Sequence, residues 1–205
     1  MGMIANYQST TDTELEKFMC LDDVEEAQEN ENLEICDIDK MWDALHFLLT
    51  GKSASEPIED NLIIDIIRAG MQAPSSFDQR PWHFLVIRNL KLLNTLATIT
   101  PYSMCIKNSS VAIIPCYKID EVKISDFVIC DMSACVENML IKITDLNLGG
   151  VWIGIAPNEE NIKKVQKALK LELNIIPFCI IPLGYPKVTK VYEDRFDRKR
   201  ITFIN

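Results

Sequence analysis

The segment from residue 131 to 147 constrains the fold most strongly, because its apolar residues recur with the period of an α-helix. Further helices are predicted over 62–70 and from 158 onward, and strands over 84–87, 111–117 and 178–183. We expect Gly149 and Gly150 to end the long helix, and Pro115 to mark a sheet edge or a strand end. Helices alternating with apolar strands predict an α/β or α+β protein.

Charge divides the 205-residue chain into two unlike parts. Residues 1–61 hold 16 acidic and three basic residues, net −13, whereas residues 62–205 carry a net +4. The total of −9 argues against nucleic acid or an anionic membrane as partner. Residues 52–61 are small and polar, which is typical of a linker. We therefore predict two units, an acidic helical N-terminal fragment over 1–60 and a main domain over 61–205.

Cysteine usage and the absence of long apolar runs indicate a cytoplasmic protein. The seven cysteines form no CxxC motif and lie mostly in apolar stretches, as expected of buried free thiols. We find no signal peptide and no apolar run of about 18 residues that could cross a membrane. Asp39, Asp43 and His46 could share one helix face, but a helix cap, a surface acid and a partly buried histidine explain them better than a metal site.

The loop from residue 72 to 82 carries the most chemistry. Two hydroxyls (Ser75 and Ser76), one acid (Asp78), an amide and the guanidinium of Arg80 lie close together between a helix and a strand. Donors clustered on a loop between rigid elements commonly orient a ligand. From the residues alone, a ligand site and an elaborate turn both remain open.

Residues 73–82, Ala-Pro-Ser-Ser-Phe-Asp-Gln-Arg-Pro-Trp, resemble the A-P-S-[AS]-x-N-x-Q-P-W signature of the FMN-dependent nitroreductase family. Residues 131–140 resemble the central helix of that family, D-x-S-[AI]-A-x-[EQ]-N-x-L, and residues 148–157 resemble its L-G-x-G-x-x-W-[IL]-G segment. Residues 181–186 resemble its final strand and turn. The resemblance implies an α+β fold with a mixed β-sheet flanked by helices.

The resemblance also implies a function. Members of the family bind FMN at a homodimer interface and pass electrons by a ping-pong cycle from NAD(P)H to nitroaromatics, quinones or similar small acceptors. No side chain is implied as a catalytic group, because the cofactor supplies the chemistry. The residues implied to contact FMN are Pro74, Ser75, Ser76, Asp78, Arg80, Trp152, Ile153, Gly154 and Arg195.

The sequence departs from the family pattern at its front. The N-terminal arginine motif that holds the FMN phosphate in the family is missing, and only Lys52 and Ser53 offer comparable groups at that distance. Asp78 and Arg80 replace an Asn and a Gln, and Arg80 could offset the charge of Asp78. An alternative is therefore a nitroreductase-like fold that has lost its cofactor and acts as a dimeric binding module or is a nonfunctional fusion.

The N-terminal fragment resembles a different family. Met1 to Ile4 and residues 37–51, Asp-Ile-Asp-Lys-Met-Trp-Asp-Ala-Leu-His-Phe-Leu-Leu-Thr-Gly, resemble the front of a YfbM-like bacterial family of unknown function. The chain is therefore interpreted as a fusion with its joint near Asn61.

Overall fold

The computed structural model describes residues 56–186 and 194–204, so the N-terminal helices predicted from the sequence lie outside the described residues. The helices are α1 (Asp60–Met71), α2 (Leu90–Leu96), α3 (Val128–Asp145) and α4 (Glu159–Leu169). The strands are β1 (Trp82–Ile87), β2 (Val111–Lys118), β3 (Gly149–Gly150), β4 (Ile153–Gly154), β5 (Ile175–Pro177) and β6 (Cys179–Gly184). The predicted α+β class is confirmed.

The strands form a sheet in the order β1-β2-β6-β3, with β5 also pairing with β2 and β4 with β6. Each strand pair within the described ranges is antiparallel. The mixed sheet that the resemblance implied is therefore not found in this part of the chain. Neighbouring strands in these ranges run antiparallel whether a short or a long stretch of chain separates them.

Alternation along β2 divides the core between the two faces of the sheet. Val111 and Ile113 pack in one cluster with residues of α1 and α3, whereas Ala112, Ile114 and Cys116 pack in a second cluster with residues of α2 and α4. Successive side chains of a strand point to opposite faces, and each face is covered by helices. The sheet is therefore buried on both sides, which explains the almost continuous apolar sequence of β2.

Pro115 lies in the middle of the sheet, so the expectation of a sheet edge is wrong. It faces Phe84 of β1 on one side, and on the other side it lies at the break between β5 and β6. Its carbonyl accepts the Phe178 N–H at 2.8 Å. A proline has no N–H to donate, and the interruption of the ladder at Phe178 removes the need for one.

The end of α3 also differs from the expectation. The helix ends at Asp145, and Asn147, with φ 55°, provides the left-handed residue that follows it. Asparagine tolerates this conformation better than other residues with a side chain. Gly149 and Gly150 are thereby free to form β3 against β6 rather than to stop the helix.

The first described residues are held to the rest of the body by hydrogen bonds from Arg88. Ile58 is fully buried in the core, and Arg88 donates from Nη2 to the Ile58 carbonyl and to Asp60 Oδ1, each at 2.6 Å. The segment predicted as a linker over 52–61 is thus part of the core by residue 58.

Candidate functional site

The loop after α1 is held on the first turns of α3 by a buried carboxylate. Asp131 is 4% exposed and accepts the Ser76 backbone N–H at 2.9 Å and the Gln79 Nε2 amide at 2.5 Å. The motif that begins with Asp131 and the Ser-rich loop are far apart in the sequence, and this carboxylate joins them. A buried carboxylate is stabilised only when its oxygens accept hydrogen bonds, so the contacts fix both elements together.

Gln79 is a functional contact that the sequence analysis missed. Its Oε1 accepts the N–H groups of Lys123 and Ile124 at 3.1 and 3.0 Å, while Nε2 donates to Asp131 and, at 3.3 Å, to the Ile124 carbonyl. The side chain is 8% exposed, so its amide is fully used inside the protein. The only signal in the sequence is an amide within a loop of otherwise exposed polar residues.

Asp78 and Arg80 form a two-bond ion pair on the surface of the loop. Arg80 Nε donates to Asp78 Oδ1 at 2.6 Å and Nη2 donates to Oδ2 at 2.8 Å. The Arg80 hydrogen bond lowers the pKa of Asp78 below its usual value, and the same contact raises the pKa of Arg80. The charge of Asp78 is thus paired with Arg80, and both side chains are exposed to solvent.

The backbone of the loop is strained at three positions. Phe77, Asp78 and Arg80 have φ values of 51°, 51° and 47°, in the left-handed region that side chains disfavour. Each such residue costs of order 1 kcal/mol or more and persists only where surrounding contacts enforce it. Here the Arg80 N–H donates to Ser75 Oγ at 3.0 Å, which closes the loop from the inside.

The second group of predicted residues lies on β4 and the residues before it. Trp152 packs edge-on against Phe178 with ring centres 5.5 Å apart, and the Ile153 side chain is buried against the core. Only the backbone of Ile153 could therefore face a ligand. Gly154 is exposed, and a Cβ built on it would meet no atom within 4 Å. The space over Gly154 suits the close approach of a flat ring.

The Ile153 side chain lies in the core cluster of α2 and α4, whereas both groups of predicted residues also border the core cluster of α1 and α3. Ala73 and Trp82, at the two ends of the loop, lie in this cluster, and Trp152 packs against it. Arg195 lies exposed in the described segment 194–204, and Lys52 and Ser53 lie outside the described residues. The chemical groups present suit a flavin, because the loop offers hydroxyls and a guanidinium and the backbone at Gly154 is open.

Thiol and metal chemistry finds little support in this part of the chain. Burial raises the pKa of Cys105, Cys116 and Cys135 to about 12, so these thiols stay protonated near neutral pH. Within residues 56–186 and 194–204, no cluster of three potential ligands could hold a metal ion. The helices of these same ranges are all too short or too polar to cross a membrane.

Comparison with solved structures identifies the fold. The chain matches a crystal structure named "Putative NADH Oxidase" from Clostridium acetobutylicum with a TM-score of 0.70 and 36% identity, covering 73% of this chain and 91% of that one. It also matches a crystal structure named "a putative nitroreductase in complex with FMN" from Desulfovibrio desulfuricans, with a TM-score of 0.63 and 23% identity, covering 78% of this chain and 96% of that one. The helix-covered sheet with its Ser-rich loop is therefore the nitroreductase fold.

Sequence comparison identifies the family. A family model described as "Nitroreductase family" matches residues 107–185. A protein of Methanothermobacter thermautotrophicus named "Putative NADH dehydrogenase/NAD(P)H nitroreductase" is 37% identical over 150 residues, which cover 73% of this chain and 78% of that protein. The chain belongs to the nitroreductase family, a family of oxidoreductases.

The N-terminal part of the chain matches a different family model. The model described as "Domain of unknown function (DUF1877)" covers residues 1–85, in accord with the predicted N-terminal fragment of unknown function. This match extends through α1, the Ser-rich loop and most of β1, which the structure packs into the same sheet and core as the rest of the described body.

Proposed function

We propose that the chain is an FMN-dependent NAD(P)H oxidoreductase that reduces nitroaromatics, quinones or similar small acceptors by a ping-pong cycle. For a quinone, the balanced reaction consumes NAD(P)H and one proton and yields the hydroquinone and NAD(P)+. The observation that carries the proposal is the loop from Pro74 to Arg80, pinned on α3 by Asp131 in a chain of the nitroreductase family. The FMN-complexed relative has the same fold.

The residues of this chain would bind and orient the cofactor rather than react. The hydroxyls of Ser75 and Ser76 and the guanidinium of Arg80 would donate to flavin oxygens and nitrogens, while the open backbone at Gly154 would let the ring approach. Arg195, with Lys52 and Ser53, would hold the phosphate, where a guanidinium can donate two hydrogen bonds at once. When bound, FMN supplies the redox chemistry, which is to accept a hydride and to pass on two electrons.

Titration of the full-length protein with FMN tests this proposal. We expect flavin absorbance to co-elute with the protein in gel filtration and NADH or NADPH to be oxidised in the presence of menadione or nitrofurazone. Protein that takes up no added FMN would contradict the proposal. Replacing Gly154 by Leu fills the open space beside the backbone, so FMN should bind at least about tenfold more weakly. Lys167→Leu, an exposed change on α4, serves as the matched control.

A second candidate function is a dimeric binding module without cofactor, or a nonfunctional fusion. It is favoured by the Asp78–Arg80 pair, because both oxygens of the acid engage the guanidinium that would otherwise face the flavin. Under this reading, Lys52→Ala and Arg195→Ala leave any measured activity unchanged. The enzyme reading expects both variants to raise the FMN dissociation constant about tenfold or more, because each removes a charged phosphate contact.

We further propose a homodimer formed through α1 and α3. Ile64, Met71 and Ile141 are large apolar side chains on these two packed helices, and each is about half exposed. Exposed apolar residues gathered on one surface typically mark an interface. Sedimentation of the Ile141→Asp variant should show monomers, while Ile119→Asp, an exposed change elsewhere, should not. A wild-type monomer at micromolar concentration would contradict this proposal.

The free thiols support a reducing, cytoplasmic location. Four of the five cysteines in the described ranges are buried and all five are unpaired, as expected where disulfides do not form. We also propose a domain boundary near residue 60, because the net charge of the chain and its family resemblance both change there.

A further inference from the structure

Phe77 is an aromatic side chain that the fold exposes at a cost. It is 76% exposed, and its backbone has φ 51° and ψ 29°, a conformation that is an outlier for a bulky residue. A left-handed backbone at a bulky residue destabilises the folded protein, and the exposed ring contributes no burial free energy that would offset this cost. Such strain concentrates at ligand-binding sites, where the surrounding structure enforces it.

The contacts on both sides of Phe77 prevent its backbone from relaxing. The N–H of Ser76, directly before it, is bound to Asp131, and Gln79, two residues after it, is bound to Asp131 and to the backbone of Ile124. The loop is therefore fixed at both ends while the ring between them points into solvent. The backbone that presents the ring is thus already ordered, so a ligand that binds there does not have to order it.

The two tryptophans at the candidate site are already engaged. Trp82 is 8% exposed, and Trp152 packs edge-on against Phe178. Among the exposed phenylalanines of the described ranges, Phe77 has the largest exposed fraction and is the one that lies on the loop of the candidate site. Phe77 stands between Ser76, which the proposed function places at the flavin, and Asp78, which the family resemblance implies there, so a molecule stacked on its ring would lie beside the reacting centre.

We propose that Phe77 is the residue against which planar aromatic electron acceptors stack, and that it sets the preference of the site for such acceptors over non-aromatic ones. The inference rests on the proposed function. An aromatic ring favours another flat ring through offset stacking or edge contact, and it gives no comparable advantage to a compact ionic acceptor. The acceptor class is therefore selected by the chain itself, beside the flavin.

Steady-state kinetics with two acceptors test the inference. Menadione is planar and aromatic, whereas ferricyanide is an ionic one-electron acceptor, two of which are consumed per NADH. Asparagine tolerates the left-handed backbone, so Phe77→Asn removes the ring while keeping the loop. We expect this variant to raise the KM for menadione about tenfold and to leave the KM for ferricyanide within about twofold. Phe77→Tyr, which keeps a ring, should behave like the wild type.

Two further measurements separate this role from other roles. Leu173→Asn removes another exposed apolar side chain, far along the chain from the loop, and should change neither KM. The FMN dissociation constant should be unchanged in Phe77→Asn, because the ring is assigned to the acceptor and not to the cofactor.

The outcomes are distinguishable. Wild-type protein that binds no FMN overturns the proposed function and this inference with it. FMN-loaded wild type whose Phe77→Asn variant has an unchanged KM for menadione overturns the inference alone. An equal rise for both acceptors, or a dimer that dissociates in the variant, likewise overturns it and assigns Phe77 to the loop or to the subunit interface.

Discussion

The two halves of the candidate site are built by different kinds of contact. The Ser-rich loop is held by side chains, since Asp131 accepts the Ser76 N–H and the amide of Gln79, and Gln79 in turn binds the backbone of Lys123 and Ile124. The segment with Gly154 is instead held by backbone pairing to β6. The half of the site that is held by two buried polar side chains should lose stability when either side chain is replaced. The half that is held by backbone pairing should lose stability only where a new Cβ meets another atom.

The largest expected effect is the loss of the Asp131 carboxylate. Asp131→Ala leaves the Ser76 N–H and the Gln79 amide without their acceptor in a buried place, so the free energy of unfolding should fall by about 3 kcal/mol. Glu137→Ala, an exposed change on the same helix, should stay within about 0.5 kcal/mol of the wild type. Urea unfolding followed by tryptophan fluorescence measures both.

A double mutant tests whether the two side chains act as one unit. Gln79→Ala should cost about 2 kcal/mol, and the double mutant with Asp131→Ala should cost about 1 kcal/mol less than the sum of the single changes. Strict additivity would show that the loop is held by independent contacts, which would remove the contrast with the Gly154 segment.

Paired glycine substitutions probe the backbone-held half. A Cβ on Gly150 would lie 3.1 Å from Leu183 Cδ2 and 3.2 Å from Ile143 Cδ1, so Gly150→Ala should destabilise the protein by about 1 kcal/mol. A Cβ on Gly154 meets nothing within 4 Å, so Gly154→Ala should leave stability unchanged. Thermal unfolding checks both variants. Destabilisation by Gly154→Ala equal to that by Gly150→Ala would mean that Gly154 does not face open space.

The smallest expected effect concerns the exposed Asp78–Arg80 pair. Because Arg80 lowers the pKa of Asp78, the pair contributes above the unfolded pKa of Asp78 and is lost as the pH falls through the lowered folded value. Arg80→Gln should return the Asp78 pKa toward 3.8 in a carboxyl NMR titration, with a stability change too small to resolve. The pKa of Glu160, lowered by Lys164, is the internal control and should not move.

Local patterns in the sequence predicted the longest helices and strands but not α2 or β5. The periodicity over 131–147 corresponds to α3, and the helix predicted from residue 158 corresponds to α4, which Asn158 caps by accepting the Asn161 N–H. Properties that depend on neighbours in space were not predictable in this way. Whether Pro115 lies at an edge depends on where β5 and β6 break, and no residue near Pro115 encodes that break.

The loop could be singled out from the sequence because its hydroxyls and charges stand together, and its assignment as a flavin site is a prediction from the family resemblance. The contacts that hold the loop could not be predicted in this way. Gln79 and Asp131 are 52 residues apart, and only the packing of the loop on α3 brings them within hydrogen-bonding distance. The left-handed backbone of Phe77 follows from those contacts rather than from its own preference, so it too is invisible in the sequence.

The clamp of Arg88 on the Ile58 carbonyl and Asp60 ties the first described residues to the turn after β1. Because Ile58 is also fully buried, these residues are folded together with the sheet. A truncated version of the protein that begins after Asp60 would remove both acceptors of this guanidinium and a core side chain, so a shortened chain meant to fold should begin before Ile58.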